Sequence, residues 1–94
     1  MSREAEHQAR VAEFPEPIRE AHRHSSKHRE ELLASRQCGC FYCEAIYSPS
    51  EISEWTDDRQ TALCARCGID SVIGTESGFP ITAEFLGEMN RFWF

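Results

Sequence analysis

The sequence has no apolar run approaching the roughly 20 residues that a helix across a bilayer needs. Its first residues include Arg3, Glu4, Glu6 and His7 and no apolar core, so a secretory signal is not expected there. Histidine stops at His28, which leaves the whole C-terminal two thirds without the commonest general base. Fixed positive charge is also scarce beyond residue 36: three Lys or Arg stand against nine Asp or Glu, and the net charge of −6 arises entirely there. Such a body repels phosphate, whereas a nucleic-acid footprint normally needs a basic face. There is no internal repeat and no low-complexity tract. At 94 residues the chain is too short for a large multi-pocket enzyme and buries only about 60–65% of the surface its unfolded form exposes.

What it does have is five cysteines: Cys38, Cys40, Cys43, Cys64 and Cys67. They read Cys-Gly-Cys-Phe-Tyr-Cys and, after twenty residues, Cys-Ala-Arg-Cys-Gly. Two C-x-x-C turns at this separation have the spacing of a zinc site. Each turn can bring two thiolates onto one ion, and two turns close a tetrahedral shell with sulfur at about 2.3 Å. The expected ligands are Cys40, Cys43, Cys64 and Cys67, holding one structural Zn2+ that substitutes for a core this chain is too small to build. Cys38 is the odd thiol. It could replace Cys40 as a ligand, but Cys40 and Cys43 have the spacing of the second pair; it then reads as a small buried hydrophobe, as part of a second polar cluster with His24, His28 and Asp70, or as a reactive thiol.

Local patterns then supply the elements. Residues 2–14 can form a helical arm, which Pro15-Glu16-Pro17 breaks; residues 18–24 form a second short helix. Ser25 or Ser26 is placed to cap a helix over 27–35 that buries Leu32 and Leu33. Residues 45–47 suit a strand. Ser48-Pro49-Ser50-Glu51 has the chemistry of a helix start, for a helix presenting Ile52 and Trp55 to the core. Thr56-Asp57-Asp58 is a turn, residues 60–63 a strand, 69–73 a strand or helix start, and 74–80 a loop. The clearest helix comes last: Thr82 caps it, and Phe85, Leu86, Met89, Phe92 and Trp93 fall on one face. That face packs on the zinc unit or forms a homodimer surface. The expected fold is a small α+β, zinc-stabilised, treble-clef-like domain over 22–94, behind an extension over 1–21 and ending in the amphipathic helix.

These motifs resemble a family of small, largely uncharacterised bacterial cytoplasmic proteins. The likeness rests on Cys-Gly-Cys-Phe-Tyr-Cys at 38–43, Glu-Trp-Thr-Asp at 54–57, the run from Thr61 through Cys64, Cys67 and Ser71 to Gly74, and Gly-Phe-Pro-Ile-Thr at 78–82 continuing to Leu86. It covers about 22–94 and implies a cytoplasmic location but no activity. More distantly, the layout is similar to the treble-clef fingers of ββα-metal (HNH-like) nucleases. The histidines that such nucleases use have no counterpart after His28, so the resemblance implies the scaffold without its general base.

Three functions compete. The first is a zinc-held binding or regulatory module, with a protein partner favoured over nucleic acid. The second is an enzyme built on His24, His28 and Cys38, or a degenerate HNH-type nuclease using Asp57, Asp58 or Asp70. The third is nucleic-acid binding through 22–29, where Arg23, Lys27 and Arg29 offer phosphate or acidic-partner contacts among three histidines. An acidic decoy of nucleic acid is permitted by the charge and selected by nothing.

Overall fold

The computed structural model describes residues 13–94. The arm expected over 2–14 lies almost wholly outside them. Helix α1 is Glu16–Arg23, with Pro15 at its N-cap and Pro17 in its first turn, so the Pro-Glu-Pro stretch starts a helix. Proline is tolerated there because first-turn N–H groups have no partner to lose. The expected junction between residues 21 and 22 falls inside this helix.

Helix α2, Arg29–Leu33, is shorter than the sequence suggested and is not capped by serine. Ser25 Oγ instead donates back to His22 O at 2.6 Å. Lys27 adopts a left-handed φ of 49°, and the N–H groups of His28 and Arg29 both donate to Gln60 O, at 2.8 and 3.0 Å. A distant carbonyl thus serves as the cap. Leu32 is buried, but Leu33 is 54% exposed, contrary to expectation, because a single turn and a half presents only one apolar position inward.

Strands β1 (Cys38–Cys40), β2 (Ile46–Tyr47) and β5 (Val72–Gly74) form an antiparallel sheet in the order β2-β1-β5. β3 (Trp55–Thr56) and β4 (Thr61–Ala62) form a separate hairpin. Its turn holds Asp57, Asp58 and Arg59 at φ of 52°, 58° and 66°. Ser48-Pro49-Ser50-Glu51 does cap and start a helix, but only one 3-10 turn, Pro49–Glu51. Ile52 is already extended, and Trp55 belongs to β3. The β-prone residues after Glu51 gain ladder bonds to β4 that a longer helix would forfeit.

Side chains alternate across β1 and β5, and both faces of the sheet are covered. Cys38, Cys40 and Val72 join Leu32, Tyr47, Ile52, Ala62 and Cys64 on one side. Ile73 faces a second cluster containing Ile18, Ala21, Phe41, Ile81, Leu86 and Met89 on the other. This second side is roofed by α1 and by α3, Ala83–Trp93. As the sequence indicated, Thr82 caps α3, its hydroxyl accepting from Phe85 N. Leu86 and Met89 are fully buried, worth about 2 kcal/mol each in transfer terms. Gly39 makes this packing fit: a Cβ there would stand 2.6 Å from Leu86 Cδ1. The architecture is small α+β with antiparallel sheets. A treble clef would begin a helix directly after the second cysteine pair; here β5 follows Cys67, and α3 starts only at Ala83.

Candidate metal centre

The two C-x-x-C segments fold into matching turns. In the first, Cys40 N donates to Ala45 O and Glu44 N to Cys40 O, at 3.0 and 2.8 Å. In the second, Cys64 N donates to Ile69 O and Gly68 N to Cys64 O, both at 2.9 Å. The residue after each pair takes a left-handed φ, 64° at Glu44 and 81° at Gly68; glycine adopts it at no steric cost. This backbone course aims N–H groups at sulfur. Tyr42 N and Cys43 N point to Cys40 Sγ at 3.3 and 3.5 Å, and Arg66 N to Cys64 Sγ at 3.3 Å. Such bonds stabilise thiolate over thiol.

The turns face each other. Cys40 Sγ lies 3.6 Å from Cys67 Sγ, and Cys43 Sγ lies 3.7 Å from Cys64 Sγ. All four sulfurs sit within 4.8 Å of one another, so the group can hold a metal ion. A tetrahedron with about 2.3 Å zinc–sulfur bonds has edges of about 3.8 Å, close to both cross-pair distances. The cysteines are free rather than disulfide-bonded.

Electrostatics agrees with the geometry. Burial pushes the Cys64 thiol up, but the Tyr47 hydroxyl, the N–H groups of Cys67 and Arg66 and the Cys43 thiol outweigh it, and it falls to about 7. Cys67 is pushed up to about 12, first by burial and then by hydrogen bonding and charge from Cys40. Cys43 is raised as well, again first by burial. Cys64 ionises readily, while Cys43 and Cys67 resist. A divalent cation reverses that repulsion and allows all four to be thiolates.

Two supporting residues were not anticipated. Tyr47 O–H donates toward Cys64, while its oxygen accepts from Ala65 N at 3.0 Å. Ser71, 1% exposed, places Oγ 3.0 Å from Cys40 Sγ. Neither stands at a characteristic spacing from a cysteine. Only the pairing of β1 with β2 and of β1 with β5 carries them to the sulfurs. From the other side, Asn90 on α3 donates to the carbonyls of Phe41 and Tyr42, at 3.1 and 2.9 Å, and so fastens the first turn.

Of the proposed second cluster, His24 and His28 meet at one cleft, while Cys38 and Asp70 do not line it. Cys38 is fully buried in the core, its thiol donating to Tyr47 O at 3.4 Å. Burial, then the charges of Cys64, Glu51 and Cys40, push it up to about 12. His28 is a structural pin. Its Nδ1–H donates to His24 O at 2.6 Å and its Nε2 accepts from Ala62 N at 3.0 Å, an arrangement only the neutral ring can make. Burial lowers its pKa below the ordinary 6.5. His24 pairs through Nδ1 with both oxygens of Glu31, at 2.9 and 3.1 Å. Asp70 is exposed at a separate cleft.

The cationic stretch is split as well. Arg23 and Lys27 line one open cleft of about 610 Å3, interleaved with Glu30, Glu31 and Glu76. Arg29 turns away and stacks 4.5 Å over Trp55. Among the described residues no helix is long and apolar enough to cross a membrane. No protein-family model, no curated protein and no solved structure matches this chain.

Proposed function

We propose that Cys40, Cys43, Cys64 and Cys67 hold one zinc ion as thiolates, and that the ion staples a small module whose role is to bind a protein partner. The observation that carries the metal reading is the convergence of four sulfurs within 4.8 Å on two matching turns. Soft sulfur donors in tetrahedral array suit zinc, and four protein ligands leave no open position for a substrate or water. Zinc there would supply charge neutralisation and cross-linking. The residues do the rest: N–H groups and Tyr47 hold the thiolates, and Ser71 and Asn90 fix the first turn. Structural zinc contributes about 10–16 kcal/mol in finger peptides at neutral pH. That is as large as the whole stability of about 5–14 kcal/mol typical of a chain this long, so removing the metal is expected to unfold the domain. A thiol-rich, disulfide-free chain suits a reducing compartment, and we place it in the cytoplasm. A protein partner is favoured over nucleic acid by the acidic metal half and by exposed aromatic surface at Tyr42 and Phe94.

The test is metal content of the purified protein, with circular dichroism before and after chelation. One zinc per chain and loss of structure on chelation are expected. No bound metal, with a spectrum that a chelator leaves unchanged, would refute the reading.

A further inference from the structure

Beside Phe41 of the first cysteine turn, a cleft of about 370 Å3 opens between the ends of two helices. His22 and Ser25 bring the C-terminal end of α1 to it, and Trp93 and Phe94 bring the C-terminal end of α3. The last carbonyls of α1 are already engaged, Ala21 O by His24 N and His22 O by Ser25 N and Ser25 Oγ. Asp70 adds a full negative charge at the rim, and no ion pair among the described residues uses its carboxylate. Among the described residues no lysine or arginine lines the cleft.

Its walls are aromatic. Phe94, 58% exposed, meets Phe41 at 5.9 Å and Tyr42 edge-on at 4.8 Å. His22 stacks on Trp93 at 3.8 Å, and Trp93 is fixed by its Nε1–H donating to Ile18 O at 3.2 Å. Ring faces attract cations through their quadrupole, most strongly where water is partly excluded. An unpaired carboxylate and an aromatic lining select the same ligand charge.

We propose that this cleft recognises an organic cation, an alkylated ammonium or a lysine side chain. The proposal extends the binding role given above and rests on it for its biological meaning, while the metal centre stands on separate measurements. Phosphate and carboxylate ligands are disfavoured at this place, unlike the mixed-charge cleft at Arg23 and Lys27.

The experiment uses the full chain with zinc content verified. Heteronuclear NMR titrations would follow the Trp93 indole N–H and the Asp70 amide with three probes: choline, its neutral carbon isostere dimethylbutanol, and a capped lysine-containing glycine peptide. Choline is expected to bind in the millimolar range, with the isostere weaker by about three- to tenfold. Binding by the peptide would identify a protein side chain as the source of the cation, and binding by choline alone a small metabolite. Asp70→Asn should weaken the cation by about two- to fivefold and leave the isostere unchanged. Phe94→Leu should weaken the cation while zinc content and circular dichroism stay as in the parent. Equal affinity for choline and dimethylbutanol, or no saturable shift with any cation, would overturn the proposal. Loss of zinc from the parent would instead count against the metal reading.

Discussion

Replacing His28 by Leu is the most informative single change to the fold. His28 is 4% exposed and joins two segments 34 residues apart through Ala62 N. Leucine roughly preserves the volume but removes both ring nitrogens. The Ala62 N–H, on a residue with no exposed surface, is then orphaned, as is the His24 carbonyl. An unsatisfied buried group costs about 1–3 kcal/mol, so the two together come to about 2–4 kcal/mol where water partly rescues one of them. That is a large fraction of the stability expected of this chain. Urea denaturation at saturating zinc, followed by tryptophan fluorescence, measures it.

The same pair of proteins carries a pH signature. Folded His28 resists protonation because burial lowers its pKa, whereas the unfolded chain takes up the proton at about 6.5. The unfolded state therefore binds more protons just below that pH, and stability falls as pH falls. The slope approaches about 1.4 kcal/mol per unit until the folded pKa is passed. His28→Leu lacks this component, and every other titrating group, thiolates included, is common to both. The stability gap between parent and variant should thus shrink from about pH 7.5 to about pH 5.5. A gap below about 0.5 kcal/mol at neutral pH, or one that does not narrow in acid, would refute the reasoning.

Other consequences can be checked directly. Cys40→Ser or Cys64→Ser should abolish stoichiometric zinc and the native circular dichroism, since one harder donor breaks the sulfur set. Cys38→Ala should keep one zinc per chain and cost only about 1 kcal/mol, because that thiol is core filling outside the four-sulfur group; loss of metal in this variant would reassign the ligand. Gly39→Ala should cost about 1–3 kcal/mol in denaturant, its methyl forced against Leu86. Asn90→Ala should lower stability by about 1–2 kcal/mol, leaving two carbonyls of the first cysteine turn without their donor, with zinc stoichiometry unchanged.

The sequence by itself determined what covalent spacing can determine. Two C-x-x-C segments fix two pairs of sulfurs locally, so the four-thiol group was legible before any fold was known. Thr82 and the apolar stripe at Leu86 and Met89 likewise specify α3 within eleven residues. Only the tertiary structure decided the fate of groups whose partners are remote. His28 looked like chemistry and is a neutral strut, because Ala62 N lies against its ring. Tyr47 looked like a strand residue and Ser71 like part of a strand or helix start, and both became supports of the sulfurs because sheet register put them there. Trp55 left its expected helix because β4 offered it a ladder partner. His24, Cys38 and Asp70 were near in the reading and apart in space. A helical or turn pattern is written over three to five residues, whereas a polar group's role depends on which distant donor or acceptor reaches it, and no local spacing encodes that.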